Sequence, residues 1–486
     1  MWIKNFIVFF KDKTILHTSL IGMFFVLYGY NEMYESVDTE ELLVAMTIFV
    51  LLPTVLVIGL KKYTLTPIRY AVILTLCLFV TFFEAHLIFA INEFAPAYLQ
   101  IRRKYWLLIV IILVVIAFYL SKNKKLLAIN FYLNLLTILY VGIESAKAIY
   151  HFLNNPYQIT SQATTSLPTI NSQTPDIYLI LVDAYTGTQS LEKYWQYDNS
   201  LFLDSMKKIN YYEIKYAKTN YNKTIYSIAT LLNSQYILTD LSSINKSRSD
   251  EVISYFQIKH NKAMTWLRQA GYETINLSFF KIQDNPPFLP FKSNYIISHF
   301  NIFLLDKTIF SHISKILNII WTKSKNTGKV QRISKPIDTF KQFVATPSPK
   351  PRFVYLHLLC PHSPFEFDKN GNLWQDNMAA QHTTEQLYLE QLQYVNTLLF
   401  DMAKHIEKTA RRPYITLITG DHGARIFDDA AKKQQESHTT TTLFKFPDNN
   451  YEILYDSMST VNLFRPILHK ALQQPLDYLP DTIVNH

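Results

Sequence analysis

Five long apolar runs in the first 150 residues limit the possible folds of this chain more than any other feature. Each run approaches the ~20 residues that a helix needs to cross a bilayer, and polar or charged residues flank each one. Five such runs in succession argue against a buried bundle in a soluble protein. No small-residue cleavage pattern follows the first run, so we expect a retained anchor and not a signal peptide. The runs cover residues 14–30, 42–60, 70–92, 105–120 and 126–142, and residues 143–152 can continue the fifth as an interfacial helix.

The basic residues beside these runs predict their orientation. The N-terminal segment, the second loop and the fourth loop together carry nine Lys and Arg residues, whereas the third loop carries three. The first loop, 31–41, has five acidic residues and no basic one. This distribution favours a cytoplasmic N-terminus, and five spans then place residues 151–486 outside the cytoplasm. The sequence therefore predicts an integral, multi-pass protein of the plasma (inner) membrane with an extracytoplasmic C-terminal domain.

We expect three parts along the chain: a transmembrane helical domain over residues 1–150, a linker over 151–174 and an extracytoplasmic domain over 175–486. Ser, Thr, Gln, Asn and Pro dominate residues 154–174, a composition typical of linkers. The remaining ~310 residues are enough for one large α/β domain.

Three segments of that domain have patterns that predict local structure. Residues 261–278 have the pattern of a helix, a stop at Gly271 and then a strand. Residues 385–406 carry apolar side chains at helical spacing, which predicts a helix that packs on a sheet. Residues 301–323 form an apolar, aromatic and partly basic stretch, which either packs onto the domain or rests on the membrane surface.

Charge and cysteine content argue against a nucleic-acid-binding protein and against a disulfide-stapled domain. The formal net charge of +9 is spread along the chain without a dense basic patch, so no nucleic-acid partner is expected. The two cysteines, Cys77 and Cys360, lie in the third apolar run and in the C-terminal domain. A disulfide between them is implausible, so this is not a disulfide-stapled domain.

Two apolar runs of the C-terminal domain end in a carboxylate. Residues 414–420 read as a buried strand and are followed by Asp421 and His422, and residues 177–182 read as a second strand followed by Asp183. Carboxylate and imidazole groups at the ends of parallel strands are well placed to bind a divalent metal. Each also has a plain structural interpretation, as a helix cap or a turn residue.

Two further segments add hydroxyl and imidazole groups. Thr224 follows a polar loop and opens a helix-like stretch, where it is either an N-cap or a nucleophile facing an anionic phosphate. A third strand, 353–359, contains one histidine, and His362 follows that strand. One histidine at such a turn is usually structural, but two from one strand favour a site.

The ordered set strand-Asp, loop-Thr, strand-His-x4-His-x-Pro and strand-Asp-His-Gly resembles the alkaline phosphatase superfamily. Within it, the chain is most similar to the membrane-anchored sulfatase-like branch, which includes phosphoethanolamine transferases and lipoteichoic acid synthases. The resemblance covers about residues 172–470. It implies an α/β domain of the alkaline-phosphatase/sulfatase type, a mixed sheet between helices, after an N-terminal five-helix transmembrane bundle.

The resemblance also implies roles for particular residues. The matching metal-binding positions are Asp183, Thr224, Asp421 and His422, with Thr224 also the nucleophile, and the matching substrate-binding positions are His362 and His438. Sulfatases commonly have two adjacent Asp residues in the first motif. Here Ala184 follows Asp183, which argues against a fully occupied second metal site.

The chemistry explains these residue types. A threonine hydroxyl is a poor nucleophile at neutral pH, and coordination to a divalent cation favours its alkoxide. Mixed nitrogen and oxygen ligands favour zinc or manganese. True sulfatases use a formylglycine made in a Cys/Ser-x-Pro-x-Arg motif, whereas residues 224–228 read Thr-Ile-Tyr-Ser-Ile. Transfer through a phospho-Thr224 intermediate therefore fits better than sulfate ester hydrolysis.

The sequence thus predicts a metal-dependent membrane transferase. It would move a phosphoryl-linked headgroup, of the phosphoethanolamine or phosphoglycerol type, from a phospholipid donor to an envelope lipid or glycan acceptor. One alternative is a hydrolase of sulfate or phosphate esters with the same fold. The other is a catalytically inactive membrane scaffold.

Overall fold

A six-stranded mixed sheet lies at the centre of the C-terminal domain in the computed structural model. The strands are β1 (Asp176–Val182), β2 (Tyr212–Glu213), β3 (Glu273–Leu277), β4 (Arg352–Leu358), β5 (Tyr414–Gly420) and β6 (Thr442–Lys445). Their order is β2-β6-β5-β1-β4-β3. The four strands β5, β1, β4 and β3 are parallel, and β6 and β2 add antiparallel pairings. The predicted α/β domain with a mixed sheet is confirmed.

Helices cover both faces of this sheet. All seven residues of β1 and of β4 are buried, as expected for central parallel strands that are covered on both sides. Alternate residues of β1 join different apolar clusters: Leu179 belongs to one and Ile180 to the other. The helices of this domain are α7 (Thr188–Trp195), α8 (Ser200–Lys208), α9 (Thr224–Asn233), α10 (Arg248–Lys259), α11 (Lys262–Gln269), α12 (Asn326–Ala345), α13 (Asp376–Ala379), α14 (Thr384–Thr409), α15 (Ala430–Ser437) and α16 (Thr460–Leu472).

Two local predictions for this domain are confirmed. Helix α11 ends at Gln269, Gly271 adopts a left-handed φ of +90°, and β3 follows. Helix α14 covers the predicted 385–406 stretch and starts with a capping box between Thr383 and Gln386. Its buried side chains include Leu392 and Val395, which pack on one face of the sheet.

The chain divides into two compact units. The helical unit comprises Met1–Gln158 and Asn294–Ser324, and the sheet unit comprises Ile159–Ser293 and Lys325–His486. The structure describes residues 15–34, 39–59, 67–94, 125–153, 173–237, 248–286, 300, 304–305, 307–308 and 326–484, and a few isolated positions between them. The predicted linker and the predicted fourth span, 105–120, lie mostly outside the described residues.

The helical unit contains apolar helices in four of the five predicted regions. They are α1 (His17–Met33), α2 (Thr39–Met46), α3 (Leu52–Gly59), α4 (Pro67–Phe82), α5 (Glu84–Phe94) and α6 (Leu126–Leu153). Among the described residues, Leu126–His151 is long and apolar enough to cross a membrane by itself. The pair Pro67–Phe82 and His86–Phe94 reaches that limit only together and is bent by 73°. One helix among the described residues is thus a candidate span, and the number of five spans stays a prediction.

Two of the predicted runs are interrupted. The third is divided between α4 and α5, and the break lies just before Glu84, an ionisable side chain that is costly in hydrocarbon. In the second, a π-helical turn over Thr47–Leu51 joins α2 to α3 and ends two residues before Pro53. Proline lacks the amide hydrogen that a regular helix needs, which accounts for an irregularity at this place.

Helices α1 and α6 run in the same direction. Near the start of α1, the side-chain oxygen of Asn134 accepts hydrogen bonds from the amides of Leu16 and His17 at 3.0 and 2.9 Å. Near its end, the amide group of Asn31 donates to the Glu144 carboxylate at 2.7 Å. Residue numbers increase together along both helices, so their C-terminal ends lie at the same end of the helical unit.

Candidate metal centre and active site

The predicted ligands meet where three parallel strands end. In the sheet, β1 lies between β5 and β4, and Val182 pairs with Gly420 on one side and with Leu358 on the other. The next residues in the chain, Asp183 and Asp421, therefore leave the sheet side by side. Parallel strands place their carboxyl ends at one edge, which brings together residues that are about 240 positions apart in sequence.

Three oxygen atoms surround one nitrogen of His422. From His422 Nε2, the distance to Thr224 Oγ1 is 3.0 Å, to Asp421 Oδ2 3.3 Å and to Asp183 Oδ1 3.6 Å. A tetrahedral site with metal–ligand bonds of ~2.0 Å has ligand–ligand edges of about 3.3 Å. The three distances from Nε2 are therefore close to the ligand–ligand spacing around one small divalent cation.

Hydrogen bonds hold His422 and Asp421 so that one ligand atom of each side chain is left for a cation. His422 Nδ1 lies 2.7 Å from the carbonyl oxygen of Gly423, so Nδ1 carries the proton and Nε2 presents its lone pair. Asp421 Oδ1 accepts from the amides of Ala184 at 2.9 Å and His422 at 2.8 Å. Its other oxygen, Oδ2, and Asp183 Oδ1 are buried, and neither has a hydrogen-bond partner among the residues that the structure describes. Buried carboxylate oxygens without a partner are costly, and a cation would satisfy both.

Burial and neighbouring charges set the protonation of this cluster. Burial lowers the pKa of His422 to about 4, so its imidazole is neutral near neutral pH, which is the metal-binding form. Burial, together with the charge of Asp421, raises the pKa of Asp183 well above its usual range. Burial acts in the same direction on Asp421, but the His422 and His357 imidazoles and the Ala184 amide outweigh it and lower its pKa. The charged form is thus favoured at Asp421 and disfavoured at Asp183.

Thr224 enters the cluster from the start of a helix. It is the first residue of α9, and the preceding Lys223 is in an extended conformation. The first amides of a helix lack intrahelical partners and form the positive end of its dipole, which favours an anionic group beside Thr224. The Thr224 hydroxyl thus lies at the positive end of the α9 dipole and 3.0 Å from His422 Nε2.

His357, on β4, is a member of the site that the motif analysis did not assign. Its Nε2 lies 3.9 Å from Asp183 Oδ2, and Asp183, His357 and Asp421 offer ligand atoms that all lie within 4.8 Å of one another. Within the described part of the chain, neither ring nitrogen has a hydrogen-bond partner, and burial lowers the pKa of His357 to about 4. Asp183 therefore directs one oxygen to His422 and the other to His357. The signal in the sequence was the first histidine of the His-x4-His pattern.

A buried carboxylate holds the loop that carries Asp421 and His422. Glu436 Oε1 accepts from Thr186 Oγ1 at 2.5 Å and from the Ala424 amide at 2.7 Å, and Oε2 accepts from the Arg425 amide at 2.9 Å. A Cβ atom at Gly423 would collide with the backbone carbonyl of Glu436, so only glycine fits there. No local sequence pattern identified Glu436, because its partners lie far away in the chain or are backbone groups.

Arg425 adds a positive charge beside the cluster. Its backbone has a left-handed φ of 60°, which is unusual for a residue other than glycine. The guanidinium donates to the Asn222 carbonyl at 2.6 Å. Its positive charge partly offsets the rise that burial causes in the pKa of Asp183, and it adds to the fall that burial causes in the pKa of His422. Strained backbone of this kind is common where a side chain is held for a function.

The two histidines predicted to bind substrate have different surroundings. His362 is partly exposed, its ring centroid lies 6.2 Å from that of His422, and its amide donates to the Asp183 carbonyl at 3.1 Å. His438 is buried, with Nδ1 3.0 Å from the Thr219 carbonyl and Nε2 3.3 Å from the Gln434 amide nitrogen. The structure therefore brings His362 to the edge of the cluster and holds both nitrogens of His438 in other hydrogen bonds.

Comparison with known proteins identifies the family. The sulfatase family profile matches residues 197–470, more than half of the chain, so the chain belongs to the sulfatase family and the predicted resemblance is confirmed. No curated protein matches the chain.

Solved structures with low sequence identity resemble it. The periplasmic domain of EcEptC from Escherichia coli in complex with zinc is 15% identical with a TM-score of 0.42, over 66% of this chain and 90% of that one. The integral membrane lipooligosaccharide phosphoethanolamine transferase A from Neisseria meningitidis is 11% identical with a TM-score of 0.39, over 93% of each chain. A protein of the alkaline phosphatase superfamily from Vibrio parahaemolyticus is 12% identical with a TM-score of 0.37, over 67% and 78%.

Proposed function

We propose that this protein is a metal-dependent membrane transferase that moves a phosphoryl-linked headgroup from a phospholipid to an envelope lipid or glycan. The observation that carries the proposal is the position of Thr224: a hydroxyl at a helix start, 3.0 Å from a ligand nitrogen and next to two buried carboxylates. The chain has neither the Cys nor the Ser that sulfatases convert to formylglycine at this place. A threonine oxygen suits attack on phosphorus.

The residues that would hold the cation are Asp183, Thr224, Asp421 and His422. The ligand spacing and the two carboxylate oxygens without partners support this set. When bound, the cation would favour the alkoxide of Thr224 and polarise the phosphoryl oxygens. Mixed nitrogen and oxygen ligands suit zinc or manganese.

The reaction would consist of two in-line displacements. In the first, Thr224 Oγ1 forms a bond to phosphorus, and the bond from phosphorus to the glycerol oxygen of the donor lipid breaks. The leaving alcohol takes up a proton, for which the partly exposed His362 is the nearest candidate donor. In the second, an acceptor hydroxyl attacks phosphorus, the bond from phosphorus to Thr224 Oγ1 breaks, and the proton of the acceptor returns to His362. Arg425 would balance charge on the transferred group. His438 would contact that group only after Nε2 exchanges its contact with the Gln434 amide for one with the substrate.

The helical unit supports a membrane location. Because α1 and α6 run in parallel, they end on the same side of the membrane if both cross it. Residue 153 would then lie on the side opposite the N-terminus. Five spans with a cytoplasmic N-terminus meet that condition and put the sheet unit outside the cytoplasm. A donor phospholipid would then come from the surrounding bilayer.

The strongest alternative is a hydrolase, in which water replaces the acceptor hydroxyl in the second displacement. The first displacement and the Thr224 intermediate would be the same. An inactive scaffold fits less well, because it has no need for buried carboxylate oxygens without partners.

Replacement of Thr224 tests the proposal. With a fluorescent phospholipid donor, Thr224→Ala should abolish release of labelled diacylglycerol, and Thr224→Ser should retain part of it. Mass spectrometry of the wild-type protein should find phosphate, or the phosphoryl headgroup, on Thr224 in the absence of acceptor. Supplying lipid and glycan acceptors separates transfer from hydrolysis, because only a transferase makes the conjugated product.

Thr230 provides a matched control in the same helix. It is fully buried, and its hydroxyl has no hydrogen-bond partner among the described residues. Thr230→Val should leave turnover close to that of the wild type. Full turnover of Thr224→Ala would reject Thr224 as the nucleophile.

A further inference from the structure

One segment leaves the sheet unit and belongs to the helical unit. Residues Asn294–Ser324 are assigned to the helical unit, although the chain on both sides of them belongs to the sheet unit. We propose that the described residues of this segment, Phe300, Leu304, Leu305, Lys307 and Thr308, form a docking strap, which attaches the C-terminal part of the chain to helix α1 independently of the 154–169 linker. The partner that the strap fits is thus the helical unit of the same chain.

An apolar contact carries the first part of the argument. Phe300 and Leu304 are 1% and 0% exposed and belong to one apolar cluster with Ile21 and Phe25 of α1. Gly29, also in α1, faces Leu304: a Cβ atom added at Gly29 would collide with the Leu304 side chain. The glycine therefore leaves a notch in the helix surface, and Leu304 occupies it. Such complementarity is typical of a specific contact and not of general adhesion.

An ion pair carries the second part. Lys307 Nζ lies 3.4 Å from Glu32 Oε2, and the two side chains are 8% and 25% exposed. Lysine is almost never buried to this extent unless it is paired. The Lys307 amide donates to the Leu304 carbonyl at 3.1 Å, so the two residues are one turn apart.

The two contacts have matching spacing. Leu304 and Lys307 are three residues apart in the strap, and Gly29 and Glu32 are three residues apart in α1. Residues at this spacing share one face of a helix. On α1, Gly29 accommodates Leu304 and Glu32 pairs with Lys307 of the strap. The two contacts together fix one register between the strap and α1. We infer that the C-terminal part of the chain stays attached when the linker is cut.

The test cuts the linker in the complete protein. A protease recognition sequence replaces residues 161–167, the N-terminus carries an affinity tag, and the detergent-solubilised protein is cleaved and bound to an affinity resin. The C-terminal fragment should elute with the tagged fragment. Release of that fragment by cleavage alone would overturn the proposal. A shared detergent micelle could also retain the fragment, and the substitutions described next separate that adhesion from docking on α1.

Substitutions at the contact separate docking from other attachments. Leu304→Asp should lower co-elution about tenfold or more, the change expected for the loss of ~1.4 kcal/mol of binding free energy. Leu201→Asp is the matched control, because Leu201 is an exposed apolar residue of the sheet unit, and it should change nothing. Equal co-elution of Leu304→Asp and the wild type would contradict docking through Leu304.

Charge exchange tests the register. Lys307→Glu should weaken co-elution, and Glu32→Lys in the same chain should restore it. If the double variant is as weak as the single one, the ion pair does not contribute and the proposed register is wrong. The experiment rests on no part of the proposed reaction, because diacylglycerol release by the uncleaved protein tests that separately.

Discussion

Glu436 offers the sharpest test of how the candidate site is held. Its side chain is fully buried, and its two oxygens accept three hydrogen bonds, from Thr186, Ala424 and Arg425. Glu436→Gln preserves the shape of the side chain and replaces one acceptor oxygen with a donor. The amide oxygen would keep the two donors at Oε1, so the new NH2 group would face the Arg425 amide.

The magnitude follows from these contacts. A hydrogen bond to a charged group contributes about 1.5–3 kcal/mol, and the substitution removes one such bond and leaves a buried N–H without a partner. We expect a loss of about 2–3 kcal/mol in the free energy of unfolding, which corresponds to a fall of roughly 3–5 °C in Tm for a domain of about 310 residues. Because the loop carries two of the proposed ligands, metal affinity should fall about 10–100-fold.

Two measurements check this expectation. Thermal unfolding in the presence of a chelator gives the stability change, and competition with a metal-binding dye gives the affinity change. Thr186→Val removes one donor to the same carboxylate. Because the two residues contact each other, the double variant should lose less stability than the sum of the single variants.

One result would refute the reasoning. If Glu436→Gln keeps both the Tm and the metal affinity of the wild type, the carboxylate does not position the loop. A loss of stability without a loss of affinity would limit Glu436 to a structural role.

The remaining predictions concern the cluster itself. Asp183 has a raised pKa, so cation binding should release about one proton from it, measurable by calorimetry in buffers of different ionisation enthalpy, and Asp183→Asn should abolish that release. With a chelator present, stability should fall as pH rises from the usual Asp value of about 3.9 to the raised native value, because the native state binds this proton more tightly than the unfolded state. His357 packs beside Phe279, with ring centroids 4.8 Å apart, so His357→Phe should retain stability but lower metal affinity, as a dye competition would show. An unchanged affinity would exclude His357 from the metal site.

Local sequence patterns were enough to locate most of the individual parts. The apolar runs before Asp183 and Asp421 are strands, Thr224 begins a helix, and the 385–406 stretch lies within a helix. Each of these features depends on side-chain periodicity and on residues next to one another in the chain. A sequence reports such features directly, because burial of one face of an element repeats at the period of that element.

The composition of the site depended on the strand order. His357 belongs to it because β4 lies beside β1, and Glu436 belongs to it because α15 ends behind the Gly423 turn. Neither neighbour can be inferred from spacing, since periodicity shows which face is buried and not what lies opposite. The same is true of Arg425, whose backbone conformation follows from the hydrogen bond to Glu436.

The sequence by itself determined that the chain has an apolar N-terminal part, an α/β domain and four candidate ligands in a fixed order. Only the tertiary structure decided that these ligands lie within 3.0–3.6 Å of one nitrogen, that the third apolar run is bent, and that residues 294–324 belong to the helical unit. The physical reason is the same in each case. Such contacts join groups far apart in the chain, and their energies depend on distances that no local pattern contains.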